Sequence, residues 1–169
     1  QATLLAGLGL LLGHALFKSA LFLIVGVIDR QLSTRNITEL SGVGRQAPVM
    51  AVFATIAVAT MVGLPPTIGF VAKEGALTGF LTEAQGGSAW GWAGFIGIAL
   101  GSILTMAYGC RFLWGAFATK KTADGTTQER TEWPDPPLGF LSAPVILASL
   151  SLLAGVAAGW LDPAFQLYA

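Results

Sequence analysis

The chain has 169 residues, 54% of them hydrophobic and 11% charged, with a mean hydropathy of +0.70. A soluble domain carries about 25% charged residues, so the composition excludes an ordinary soluble domain and specifies an integral membrane protein. Equal numbers of basic and acidic side chains leave no net charge, which argues against nucleic acid as a partner; the lone Cys110 excludes an internal disulfide framework and Cys-rich zinc sites.

Gln1 leads straight into an apolar run with neither a basic n-region nor a small-residue cleavage site. That start reads as a piece of a longer polytopic protein, not as a signal peptide. Ala2–Ile28 exceeds the roughly 20 apolar residues a spanning helix needs. His14 and Lys18 are its only ionisable side chains and lie four residues apart, so they share one helix face. Lys18 is about 16 Å of helix away from Asp29, too far for its amine to snorkel out of the bilayer. A lysine held there needs a partner, a hydrated cavity or a function. Desolvation can bring its neutral form within reach of physiological pH, and an imidazole one turn away can relay the proton. The alternative is a static pair with a carboxylate on a helix outside this chain.

The connection Asp29–Ala47 holds Arg30, Arg35 and Arg45 together with Asp29 and Glu39. These charges read as topology determinants, the alternative being a contact to a neighbouring subunit. Pro48–Thr82 follows, about 52 Å long as a single straight helix, which is too long for one crossing and too short for two with a turn. Gly63-Leu64-Pro65-Pro66 resolves the conflict, because two consecutive prolines remove backbone donors and clash with the preceding turn. The expectation is one discontinuous span with halves Pro48–Val62 and Thr67–Thr82. Such a break is tolerated only where its backbone is buried in protein or lines a cavity. Lys73 and Glu74 follow the break by about two turns. The carbonyl end of the first half offers a partial negative charge to a cation there. For Lys73 the alternative is that it reaches the outer interface. Thr55, Thr60, Thr67 and Ser19 suit helix packing better than a hydrated path.

Trp90–Phe117 and Leu138–Leu161 are two further apolar runs of spanning length. Trp90 and Trp92 at one end of the first and Trp114 near the other stand about 33–36 Å apart on a helix, matching aromatic belts, and Arg111 can snorkel beside Trp114. Loop 118–137 is polar and carries Lys120, Lys121 and Arg130, whereas Glu83–Ala89 has no basic residue. It reads as a solvated linker. If 48–82 crosses once, both basic loops, 29–47 and 118–137, fall on one side, which the positive-inside rule makes cytoplasmic. Gly9/Gly13, Gly97/Gly101 and Gly155/Gly159 have the spacing that lets transmembrane helices approach closely. The fold expectation is therefore all-α: one membrane domain over 1–169, a polytopic bundle with four spans, one of them discontinuous at Gly63–Pro66. No metal-ligand cluster, phosphate loop or nucleophile arrangement appears, so neither cofactor, metal nor enzymatic chemistry is expected. A path for protons or cations, built on Lys18, Lys73, His14 and Glu74, is.

The string from His14 to Leu23, HALFKSALFL, resembles the HALFKAxLF segment of the proton-translocating antiporter-like family. That family includes large subunits of Mrp-type Na+/H+ antiporters and antiporter-like subunits of respiratory complex I. The string from Gly63 to Glu74, GLPPTIGFVAKE, is similar to the family's GLPPxxGFxxKE, and the Arg-bearing connection between them, ending in Leu40-Ser41-Gly42-Val43-Gly44, matches as well. Val25–Asp29 and Ser33-Thr34-Arg35 look most like the A-type subunits of the Mrp branch. The resemblance implies a bacterial inner-membrane subunit that moves H+ against Na+ within an assembly of other membrane subunits. It implies that Lys18 stands in a central hydrophilic axis and Lys73 on the discontinuous helix near the outer exit, with this chain holding the last spans of a larger bundle. A glutamate–lysine pair of that family would lie on earlier helices. Many relatives carry a second histidine where this chain has Leu10, so water would have to bridge that position. A redox-driven proton pump of the complex I or membrane-hydrogenase kind, and a structural scaffold with static ion-paired lysines, are the competing readings.

Overall fold

In the computed structural model the described residues are 2–165, with side-chain surroundings given for 7–158. The elements are α1 (Ala2–Leu32), α2 (Val43–Gln46), α3 (Pro48–Val62), α4 (Ile68–Gln85), α5 (Ala89–Phe117) and α6 (Leu138–Phe165). Among the described residues, three stretches are long and apolar enough to cross a membrane: Gly7–Leu32, Ala89–Phe117 and Leu138–Ala158. α3 is apolar but short.

The expected break is present, and its local chemistry is clear. Gly63 adopts φ 86°, and its N–H bonds Thr60 O at 3.2 Å while the Leu64 N–H bonds Ala59 O at 2.8 Å. This pair of bonds is the Schellman ending of a helix, which needs a residue tolerant of the left-handed region. The prolines then prevent the helix from resuming until Thr67, whose hydroxyl donates to Leu64 O at 2.7 Å.

The two halves lie in series along the same neighbours. On α1, Phe17 and Ala20 pack with Ala57, Val58 and Met61 of α3, while Gly13 meets Ile68 and Gly9 meets Ala72 of α4. On α5, Gly109 faces Val58 and Met61 of α3, whereas Gly94 lies against Phe80 and Gly91 against Ala84 of α4. One helix length of α1 and of α5 therefore accompanies α3 plus α4. α6 covers the break. Its Ser151 hydroxyl meets that of Thr60 at 2.8 Å, both side chains being fully buried, and Gly155 lies directly on the backbone of Pro66–Ile68.

A second cluster closes the opposite end of α3, where Ile24, Val27 and Ile28 pack with Leu40, Val43, Met50, Ala54, Ala116 and Phe117. Both basic connections meet at this end: Gly42 N–H bonds Ala118 O at 2.9 Å, Thr131 N–H bonds Ser41 O at 2.9 Å, and the Gln46 amide donates to Thr131 O at 2.6 Å. Loop 118–137 is thus docked on the first connection, while most of its residues stay exposed to solvent.

Element ends differ from the hydropathy boundaries. α1 continues past Ile28 to Leu32, so Asp29 and Arg30 belong to the helix, and Arg45 sits on α2. Hydropathy marks where apolar side chains stop, whereas the helix stops where Ser33, at φ 51°, turns the chain. Asp29 meets Arg35 at 2.8 Å across that turn, and Arg30 stacks 4.7 Å from the Phe140 ring centroid. α4 likewise runs past Thr82 to Gln85, and α6 past Leu161 to Phe165. Of the glycine pairs, Gly9/Gly13 is packed, but Gly97 and Gly101 have nothing among the described residues within 4 Å of a Cβ position. Gly155 packs on the break, while Gly159 lies outside the residues whose surroundings are described.

Candidate ion-path site at the helix break

A cavity of about 420 Å3 lies where α1, the α3–α4 break and α5 converge, and His14, Lys18 and Lys73 all line it. Each arrives by a separate local rule. His14 and Lys18 share a face of α1 through their four-residue spacing. Lys73 is about one and a half turns into α4 and folds back toward the end of α3, where its ammonium donates a 2.7 Å hydrogen bond to Val62 O. That carbonyl belongs to the last turn of a helix, where no N–H of the same helix is available to it, so the lysine satisfies an orphan acceptor and meets the negative end of the α3 dipole. Gly63 makes room for it: a Cβ there would lie 2.8 Å from Lys73 Cδ. Gly69 matters equally, since its bare Cα lies against the Thr60 carbonyl and leaves no space for a side chain.

His14 packs edge-on against Phe17, ring centroids 5.0 Å apart. Lys18 Nζ stands 5.8 Å from the Phe22 ring centroid, within cation–π range. Lys18 also borders a smaller cavity of about 260 Å3 on the side of Val25 and Phe112, so its side chain stands between two hollows. Glu74 is not part of this arrangement. It is exposed and lines neither cavity, because successive helical residues point about 100° apart and Lys73 takes the inward direction. The structure brings three of the four expected side chains together and leaves the fourth outside.

The far wall is a polar stripe on α5 that sequence reading passed over: Ser102, Thr105 and Tyr108 all line the larger cavity. Ser102 and Thr105 donate to the carbonyls of Ile98 and Gly101 one turn back, which leaves their oxygen lone pairs for water. Tyr108 donates to the Met61 sulfur. Their spacing of three in an otherwise apolar run was the available signal, since residues three apart share a helix face. Thr60 lines the cavity too, while its hydroxyl is engaged by Ser151 and Ile56 O. Its hydroxyl thus joins helix to helix. Chemically, the site offers two primary amines, one imidazole and several hydroxyls around a space able to hold water.

Residues 3–107 match the family described as "NADH:quinone oxidoreductase/Mrp antiporter, TM". The chain is 32% identical over 146 residues to the A-type subunit of the Na(+)/H(+) antiporter of Bacillus subtilis, covering 84% of this chain and 18% of that protein. It is 34% identical over 148 residues to the corresponding subunit of Alkalihalophilus pseudofirmus, covering 86% and 18%. Among solved structures, the Mrp complex from Dietzia sp. DQ12-45-1b matches with a TM-score of 0.72 at 25% identity, over 92% of this chain and 35% of that one. The chain thus spans under a fifth of the length of these curated relatives. With a family match that runs from α1 through most of α5 and relatives at 32–34% identity, this chain belongs to the NADH:quinone oxidoreductase/Mrp antiporter transmembrane family.

Proposed function

We propose that this chain is the part of a multisubunit Na+/H+ antiporter that carries protons between the membrane centre and one surface. Lys18 and Lys73 gain and lose protons in turn, His14 relays them, and water held against Ser102, Thr105 and Tyr108 completes the path. In the assembled complex this movement is coupled to Na+ moving the opposite way. In this reading α3 and α4 together make one crossing, giving four spans in the bacterial cell membrane, with the docked basic connections cytoplasmic. The observation that carries the reading is the convergence of His14, Lys18 and Lys73 on one cavity at the helix break. Irregular backbone at membrane depth is expected where it borders such a space, and half-helix ends are suited to cations there. Similarity to A-type antiporter subunits from two bacteria supports antiport over redox-driven pumping. Glu74, facing outward, is assigned to contact with a neighbouring subunit or helix and not to the relay.

The test is ion flux in vesicles containing the full complex with Lys18→Ala or Lys73→Ala, assembly being checked by co-purification. Loss of exchange with retained assembly is expected. Full exchange in both variants would leave the lysines with a structural role only.

A further inference from the structure

Three cations that the proposed proton path does not use converge where α5 meets the docked connections. A groove of about 640 Å3 opens there, walled by Arg111, Lys120 and Lys121 beside Trp114, and among the described residues no carboxylate lines it. Lys120 is anchored on Ile37 O, and burial pulls its pKa below the ordinary lysine value. Arg111 and Lys121 are exposed, and among the described residues neither lies within ion-pair distance of an acid. Trp114 is 68% exposed at the rim. From the groove an apolar track runs up α5, because Trp114, Cys110, Ala107 and Ile103 recur every three or four residues and so share a face; all four are exposed.

We propose that this groove binds an anionic phospholipid, with Arg111 and Lys121 on the headgroup phosphate and an acyl chain lying along Cys110, Ala107 and Ile103. Arginine offers a planar pair of N–H donors to phosphate oxygens, tryptophan settles at headgroup level, and basic pockets beside transmembrane helices take acidic lipid headgroups. A free inorganic anion would use the cations and leave the apolar track empty, which is why a lipid is the better occupant. The inference needs this end of the bundle to lie at a membrane surface and the Ile103–Trp114 face of α5 to meet lipid in the assembled complex. It stands whether or not Lys18 and Lys73 carry protons.

The assembled complex, purified in detergent, is exposed to photoreactive phosphatidylglycerol or photoreactive phosphatidylcholine, and the labelled peptides are identified. Label from phosphatidylglycerol is expected within residues 103–121, well above that from phosphatidylcholine, and undiminished by inorganic phosphate at matched concentration. Arg111→Gln/Lys121→Gln should weaken phosphatidylglycerol binding roughly thirtyfold, and Arg130→Gln should leave it unchanged. Should the double variant fail to assemble, Lys121→Gln alone is read in the same way, with a loss of about fivefold. Equal labelling by the two lipids, unchanged affinity in the variants, or displacement by inorganic phosphate would overturn the proposal, the last by identifying a free-anion site. Absence of lipid label from this segment would overturn it too.

Discussion

Lys73 donates its ammonium proton to the carbonyl of Val62 at 2.7 Å, so the second half of the broken helix is tied to the end of the first by one of the side chains assigned to the ion path. The break and the candidate path are thereby one structure. What alters the geometry of the turn alters the position of the amine.

Gly63 is the first place where this can be tested. Its φ of 86° is costly for any residue with a Cβ, and that Cβ would press on Lys73 Cδ at 2.8 Å. Gly63→Ala should destabilise the protein by roughly 1–2 kcal/mol from the backbone conformation alone. It should also reduce exchange more than this loss of stability accounts for. Thermal unfolding of the complex together with flux per assembled complex checks both.

The hydroxyl contact between Thr60 and Ser151 ties α6 to the last turn of α3. Hydrogen bonds between transmembrane helices couple by about 0.6 kcal/mol and at most about 1.7. A double-mutant cycle with Thr60→Val and Ser151→Ala should return a value in that range. A coupling of zero would mean that packing alone holds α6 there.

Gly155 and Gly97 have similar small-residue spacing but different neighbours, so they should respond differently to the same change. Gly155→Ala forces a methyl into the backbone of Pro66–Ile68 and should cost about 1–3 kcal/mol as overpacking. Gly97→Ala meets nothing within 4 Å among the described residues and should stay within about 0.5 kcal/mol. Unfolding of the two variants side by side provides the comparison.

Glu39 supplies a pH-dependent prediction at the docked connections. Hydrogen bonds from Thr34 and Asn36 hold its carboxyl below the ordinary value of 4.5. A depressed carboxyl pKa stabilises the fold fully above the unfolded value, and the contribution disappears as pH falls through the folded one. Limited proteolysis of the 33–42 connection should therefore accelerate as pH drops below about 4.5. Glu39→Gln should remove that dependence.

Much of this was legible in the sequence for physical reasons. Apolar length located α1, α5 and α6, the Gly63–Pro66 string located the break, and the four-residue spacing of His14 and Lys18 put them on one face. Hydropathy, however, records which segments avoid water and not which neighbour they meet. The fold of Lys73 back onto Val62, the outward direction of Glu74 and the seating of Gly155 on the break all depend on how α4 and α6 are rotated, which no single helix encodes. Ser102, Thr105 and Tyr108 were recoverable from their spacing. Their role as a wall emerges only once α5 is placed against the break.

The most direct test separates a lysine that exchanges protons from one that only carries charge. Arginine keeps the charge but does not give up its proton in proteins. Na+-driven proton movement is therefore measured in vesicles containing the full complex with Lys18→Arg or Lys73→Arg, matched for assembled complex. Proton exchange at these amines predicts that flux falls to the level of vesicles without the complex while assembly persists. Flux equal to that of the unsubstituted complex in both variants would contradict it.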